Sequence, residues 1–308
     1  MTLKGADILT AAQFSRDQVE GLFARADEFA ARLEQGERLR ALDGKLLATI
    51  FYEPSTRTRL SFEAAMQRLG GGVISVAEAK TASSVVKGET LPDTIRTLAN
   101  YADAIVLRHP DIGAAQVAAE ASVVPIFNAG DGAGEHPTQA LLDLYTIRAE
   151  KKTLDGLRIA LVGELKNGRT VHSLARALSL FKVEYSFVAP AALSMPTEVS
   201  DYLRERGFNV EETNDMAKTL QKADVVYMTR VQKERFADVK QYEKLKNFYI
   251  LTREVVLNAK PNLVVMHPLP RVDEITTDVD TLPNAAYFRQ MKNGVYIRMA
   301  LLSEVLGA

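Results

Sequence analysis

The sequence reads as an α/β protein of two domains, each a parallel β-sheet flanked by helices, joined by interdomain helices that include a C-terminal one. Short apolar runs of strand length alternate with helix-period patterns along most of the chain, the signature of parallel sheets covered on both faces. At 308 residues there is enough chain for two hydrophobic cores. The alternation pauses once, at the charged and apolar-poor Glu150–Asp155, and then restarts, which makes that stretch the best boundary candidate.

Taken in order, Ser15 and Gln18 form a capping box, and Leu22, Phe23, Ala26, Phe29, Ala30 and Leu33 trace a helical stripe that stops at Gly36. Leu46–Phe51 is a buried strand. Leu60–Leu69 is a helix with apolar positions 62, 65, 66 and 69, ended by Gly70-Gly71-Gly72. Val73–Val76 is a strand, and the small, polar Lys80–Gly88 reads as a mobile loop. A helix over Thr90–Ala102, a strand over Ala104–Leu107, a helix over Asp111–Ala121 and a strand over Ser122–Phe127 follow. A glycine-rich loop, Asn128–Gly134, leads to His136-Pro137, and Pro137 suits the first position of a helix running to residue 149. Beyond the boundary, strands are expected at Arg158–Val162, Glu184–Val188, Phe208–Glu211, Asp224–Met228 and Leu263–Met266. Asn284–Gly307 holds a long closing helix, expected to break near Gly294.

Composition narrows the function. Lys and Arg number 38 against 39 Asp and Glu, so no charge sign dominates and a general nucleic-acid or membrane-surface binder is disfavoured. Cysteine is absent, which removes disulfides, thiol nucleophiles and Cys-based zinc sites. The N-terminus lacks the apolar core of a signal peptide and no run approaches the ~20 apolar residues of a membrane span, so the chain reads as cytoplasmic.

Positive charge is instead concentrated at particular places. Glu53-Pro54-Ser55-Thr56-Arg57-Thr58-Arg59 lies where a strand turns into a helix, with Ser55 as N-cap. Unpaired first-turn N–H groups, the positive helix end and fixed guanidinium groups make a socket for a phosphate-like anion. A plain helix cap needs one hydroxyl and gains nothing from arginines at a positive end. Arginine recurs where parallel sheets bind ligands, beyond the carboxyl ends of strands. Arg57 and Arg108 follow strands of the first half, Arg169 and Arg230 strands of the second. The expectation is two anion sites facing each other across a cleft. His109, His136 and His267 each precede a proline, which holds the ring on a rigid loop. His136 is the functional candidate among them, as a donor to a carbonyl oxygen. No histidine pair has ligand spacing, so no metal is expected. Gly163–Gly168 lacks the G-x-G-x-x-G order, no acid follows the next strand, and neither a P-loop nor a G-x-S-x-G elbow is present. These absences disfavour a dehydrogenase, a nucleotide hydrolase and an α/β-hydrolase.

Ser55-Thr56-Arg57-Thr58-Arg59, Ser83-Ser84-x-x-Lys87-Gly88-Glu89-Thr90, Leu107-Arg108-His109-Pro110 and His136-Pro137-Thr138-Gln139 together resemble the aspartate and ornithine carbamoyltransferase family. Gly168–Ser173, Tyr227–Arg235 and His267–Arg271 extend the match over most of the chain in the family's order. The last two segments are most similar to the catalytic chain of the aspartate-specific members; ornithine-specific members carry a cysteine in the segment matched by His267–Pro270, and this chain has none.

The resemblance implies a carbamoyl-phosphate-binding domain over residues 1–136 plus a C-terminal helix at about 288–308, and an aspartate-binding domain over 137–287. It implies that Ser55, Thr56, Arg57, Thr58 and Arg108 hold the phosphate. Thr58, Arg108 and His136 would polarise the carbamoyl oxygen, and Gln139 with the carbonyls of Pro268 and Leu269 would hold the amide. Ser83 and Lys87 would come from a neighbouring subunit of a homotrimer with shared sites, and Val86 stands where some members carry a second lysine. Arg169, Arg230 and Gln232, with Lys87, would grip the two carboxylates of L-aspartate, and Glu53 with Arg169 or Arg235 would latch domain closure. No cofactor is implied; a regulatory chain or a dihydroorotase is an open partner. The alternatives are a carbamoyltransferase for another amine such as ornithine, and a non-catalytic anion-binding assembly subunit.

Overall fold

The computed structural model describes residues 3–233, 236 and 238–308. The chain divides into two compact units, Met1–Leu142 with Met291–Ala308, and Asp143–Gln290.

In the first unit, α1 (Arg16–Glu34) opens with the expected capping box: the Ser15 side chain accepts from the Gln18 backbone N–H, and the Gln18 side chain accepts from the Ser15 N–H. β1 (Leu46–Phe51), α2 (Thr56–Arg68) and β2 (Gly72–Val76) follow. Then come α3 (Ala79–Ala82), α4 (Leu91–Ala99), β3 (Ala104–His109), α5 (Ala114–Ala121), β4 (Ile126–Asp131) and α6 (Pro137–Lys151), which runs on into the second unit. The sheet is parallel in the order β2-β1-β3-β4. Ala48, Ile50, Ile105 and Leu107 of its strands pack with Ile95 of α4 and Ala118 of α5.

Two expectations are corrected here. Lys80–Gly88 contains α3 and a 3-10 turn over Ser84–Lys87, because the Ser83 hydroxyl donates to the Ala79 carbonyl at 2.5 Å and accepts from the Val85 N–H. The fourth strand begins at Ile126 rather than Ser122 and takes in Asn128–Asp131, which the glycines had marked as loop. Ser122 instead caps Val124 in a turn, and Ile8 secures the strand by accepting from the Asn128 N–H.

The second unit carries β5 (Arg158–Val162), α7 (Arg169–Leu178), β6 (Glu184–Val188), α8 (Thr197–Arg204), β7 (Val210–Thr213), α9 (Met216–Leu220) and β8 (Val225–Met228). α10 (Val239–Leu245), α11 (Arg253–Leu257), β9 (Val264–Met266) and the start of α12 (Tyr287–Leu306) complete it. Its sheet is also parallel, in the order β7-β6-β5-β8-β9. Both cuts between units fall inside helices, α6 and α12, the first upstream of Glu150–Asp155.

α12 does not break at Gly294. A side chain there would meet Arg298 Nη1 at 2.8 Å and Leu142 Cδ2 at 3.1 Å, so the glycine serves close packing on α6 rather than a kink.

At the amino ends of the second sheet, Asp224 accepts from the Arg158 N–H (3.0 Å) and from Lys260 Nζ (2.6 Å), with Lys151 Nζ at 3.9 Å. Burial pushes its carboxyl up, but these partners outweigh that and hold it below the usual carboxylate range. The stabilisation from a depressed folded pKa is present above the unfolded value of about 3.9 and is lost as pH falls through the folded value. Asp224→Asn should therefore lower the melting temperature at pH 7, with a deficit that shrinks at pH 3. An equal deficit at both pH values in thermal melts would contradict this.

Candidate functional site

The first unit brings several of its expected site residues to the carboxyl ends of β1 and β3. In the order β2-β1-β3-β4 the chain leaves β1 toward β2 and later returns on the other side as β3, so β1 and β3 flank the point where the topology reverses. Ligands of open α/β sheets bind beyond the strand ends at such a point. Phe51, the last residue of β1, is in register with Arg108 of β3, and the Tyr52 N–H donates to the Arg108 carbonyl at 2.9 Å. The β1–α2 turn and the Arg108 side chain are thereby brought together.

Ser55 is the N-cap of α2, as expected, but its hydroxyl makes no capping bond. Thr56 and Arg57 are exposed in the first turn, and Thr58 is buried, with Oγ1 3.4 Å from His136 Nε2. Arg108 is mostly buried: Nη1 donates to the Ala129 carbonyl (3.4 Å), and Glu53 Oε2 lies 3.3 Å from Nε. Glu53, expected to latch domain closure with Arg169 or Arg235, has a carboxylate oxygen against Arg108, and Arg235 lies outside the described residues.

Arg59 does not join this group. Its Nη1 donates to Glu63 Oε1 at 3.0 Å and to Ser75 Oγ at 3.2 Å, and Thr49 shares the same carboxylate. Of the two guanidinium groups in the five-residue motif, that of Arg59 is thus directed to Glu63 and Ser75.

His136 and Gln139 are both buried at the start of α6. The loop before them is folded by Asp131, which sequence reasoning did not single out. Its carboxylate accepts from the Gly113 N–H (2.9 Å), the Glu135 N–H (2.7 Å) and Asn128 Nδ2 (3.2 Å). Arg298 of α12 was also missed. It is buried, donates to Thr138 Oγ1 at 3.2 Å, and its guanidinium carbon lies 4.9 Å from the centre of the Phe62 ring. Ser83 and exposed Lys87 lie in the segment between α3 and α4.

The second unit repeats the logic. β5 lies between β6 and β8, so the topology reverses between β5 and β8, and Val162 is in register with Met228. Arg169 opens α7 after the β5 turn; Arg230 and Gln232 follow β8. The two segments are tied by Glu164, which is fully buried. Its Oε1 accepts from Asn167 Nδ2 (2.7 Å) and its Oε2 from the Gln232 N–H (2.6 Å). An acid directly after an apolar strand, at a ligand-binding end, was the signal available in the sequence. Gly163 is required for the approach: a side chain there would lie 2.3 Å from the Thr229 carbonyl oxygen, and its φ is +115°.

After β9, Pro268 and Leu269 form a turn in which Leu269 has φ +54° and its N–H donates to His267 Nδ1 at 2.7 Å. His267 Nε2 lies 2.7 Å from Glu274 Oε1, both residues buried. Burial pushes the Glu274 carboxyl up, but His267 and the Val272 N–H more than offset this and hold it below the usual range. Among the described residues, no cluster of His, Asp and Glu could hold a metal ion, and no helix is long and apolar enough to cross a membrane.

Comparison with known proteins identifies the family. Residues 6–149 match the family described as aspartate/ornithine carbamoyltransferase, carbamoyl-P binding domain, and residues 155–305 match its Asp/Orn binding domain. The chain belongs to the aspartate/ornithine carbamoyltransferase family. Within that family it is 51% identical over 307 residues to the aspartate carbamoyltransferase catalytic subunit of Thermococcus onnurineus, covering 100% of this chain and 99% of that one. It is 50% identical over 307 residues to the multifunctional protein pyr1-3 of Dictyostelium discoideum, spanning 14% of that longer protein. The crystal structure of Trypanosoma cruzi aspartate transcarbamoylase with carbamoyl phosphate and aspartate superposes with a TM-score of 0.94 at 45% identity, covering 99% of this chain and 98% of that one.

Proposed function

We propose that this chain transfers the carbamoyl group of carbamoyl phosphate to the amine of L-aspartate, giving N-carbamoyl-L-aspartate and phosphate, a step of pyrimidine biosynthesis. The observation that carries the reading is the placement of arginines at both topological reversals, Arg57 with Arg108 in one unit and Arg169 with Arg230 in the other. Two polyanionic reactants repel each other in water; fixed guanidinium groups offset that repulsion, and alignment lowers the barrier further.

In this reading Ser55, Thr56, Arg57, Thr58 and Arg108 bind the phosphate, with Ser83 and Lys87 completing the site. The aspartate amine, in its neutral form, attacks the carbamoyl carbon. Charge builds on the carbonyl oxygen, where Thr58, Arg108 and His136 donate, each such donor being worth about 2.7–4 kcal/mol. Gln139 and the carbonyls of Pro268 and Leu269 hold the carbamoyl amide. The tetrahedral intermediate then expels phosphate, whose oxygens accept the amine's proton, so no protein base is needed. Arg169, Arg230, Gln232 and Lys87 hold the two aspartate carboxylates. Ornithine offers one carboxylate and an extra cation, a poor match for Arg230 with Gln232.

Incubating purified chain with carbamoyl phosphate and either aspartate or ornithine, followed by mass spectrometry, tests the reading. Carbamoyl-aspartate is the expected product. Citrulline alone, or no product, would overturn it.

We further propose a cytoplasmic homotrimer in which Ser83 and Lys87 serve a neighbour's site. Exposed Lys87, at the end of a short 3-10 turn, supports this. Mixed trimers of Lys87→Ala and Arg57→Ala subunits should then regain part of the activity that each variant lacks alone, because some sites receive both intact residues. Verified mixed trimers with no recovery would exclude sharing.

A further inference from the structure

Leu269 holds φ +54°, a region an L residue with a branched side chain occupies only when its surroundings impose it. The hydrogen bonds around it show what imposes it. The Leu269 N–H donates to His267 Nδ1 at 2.7 Å, so that nitrogen carries no proton. The imidazole proton is then on Nε2, where it is donated to Glu274 Oε1 at 2.7 Å. The Glu274 carboxylate also accepts from the Val272 N–H, on the far side of the same turn, at 3.2 and 3.3 Å. Behind the turn, the His267 N–H donates to Gln290 Oε1 (3.1 Å) and Gln290 Nε2 donates to Asp143 Oδ1 (2.6 Å). Tyr227 donates its hydroxyl to Asp143 Oδ2 at 2.8 Å. Asp143, Tyr227 and Gln290 are fully buried, and Tyr227 lies on β8, two residues before Thr229-Arg230.

We propose that Glu274 and His267, braced by the Gln290–Asp143–Tyr227 chain, are positioning residues that set the Pro268–Leu269 backbone so that its carbonyls select a donor bearing an amide NH2. This rests on the reading that those carbonyls accept from the carbamoyl group. A carboxylate at 274 is needed because it accepts on every side. It fixes the imidazole tautomer, and only that tautomer presents Nδ1 as an acceptor to Leu269. With glutamine at 274, one oxygen becomes an NH2 that confronts either the Val272 N–H or the His267 Nε2–H, and the imidazole is freed to take its other tautomer.

Acetyl phosphate, which carries a methyl group in place of the NH2, provides the test. Its inhibition constant is compared with the dissociation constant of carbamoyl phosphate in the wild type, in Glu274→Gln and in Tyr227→Phe, with inorganic phosphate as a control for the socket alone. The wild type should favour carbamoyl phosphate by about tenfold or more, Glu274→Gln should bring the ratio near one, and Tyr227→Phe should lower it about threefold, all with unchanged phosphate affinity. A wild-type ratio near one would sink the reading that the carbonyls hold the amide. A wild-type preference kept in full by both variants, even with lowered melting temperatures, would overturn the positioning role alone. If Glu274→Gln does not fold, Tyr227→Phe carries the same comparison. The wild type also offers a readout without any variant. With four histidines in the chain, imidazole 15N spectra can assign His267, and a protonated Nδ1 would overturn the proposal.

Discussion

Replacing Arg57 by alanine is expected to lower turnover by about a hundred- to a thousandfold, the effect of deleting one preorganised charged donor from a site where negative charge must be held. Arg57 is exposed in the first turn of α2, where a cation is disfavoured by the helix dipole. A cation there gains nothing from the helix dipole, so the loss of turnover should far exceed the loss of stability seen as a lower melting temperature. Arg59→Ala is the matched comparison. Arg59 is spent on Glu63 and Ser75, so its loss should lower stability while leaving most of the turnover. Steady-state kinetics with both substrates varied, alongside thermal melts, separate the two. An Arg57→Ala chain with near-normal kcat/KM would remove the phosphate-socket assignment.

The contrast between Arg57 and Arg59 shows where sequence reading stops. Both arginines stand in one motif, two residues apart, and the motif alone offers both to the socket. Helix geometry separates them. Two residues on is about 200° around a helix, so Arg59 faces Glu63, one turn along, and the Ser75 hydroxyl on β2. The strands themselves were legible because buried parallel strands are short continuous apolar runs, as at Leu46–Phe51 and Arg158–Val162. The start of β4 differs from expectation because its carboxyl end, Asn128–Asp131, carries glycine and polar residues, which there hydrogen-bond to one another at the strand end rather than forming a turn. Gly294 was misread for a related reason. A glycine inside a helix marks a break only when nothing packs against it, and Arg298 and Leu142 do. What the sequence could not convey were the buried bracing groups Asp131, Glu274 and Arg298. Each acts through hydrogen bonds to residues brought near by the fold, and none has a local spacing pattern of its own.

Glu164 gives the second large effect. Its two carboxylate oxygens accept from donors in two different segments, Asn167 before α7 and Gln232 after β8, and the residue is fully buried. In Glu164→Gln the amide keeps one acceptor and turns a donor toward either Asn167 Nδ2 or the Gln232 N–H. A buried donor left facing another costs about 1–3 kcal/mol, and the segment that loses its anchor is free to move. Because Arg169 lies on one segment and Arg230 with Gln232 on the other, either outcome disturbs the spacing of the groups assigned to the aspartate carboxylates. The KM for aspartate should rise roughly ten- to a hundredfold, which is the same free energy expressed as affinity. The dissociation constant of carbamoyl phosphate, measured without aspartate, should stay within about twofold, because the residues proposed to hold its phosphate belong to the other unit. Glu164→Asp, which keeps both acceptors on a shorter stem, should restore part of the loss. If aspartate KM is unchanged in Glu164→Gln, or if carbamoyl-phosphate binding falls as steeply, the bracing of the aspartate grip by this carboxylate is wrong.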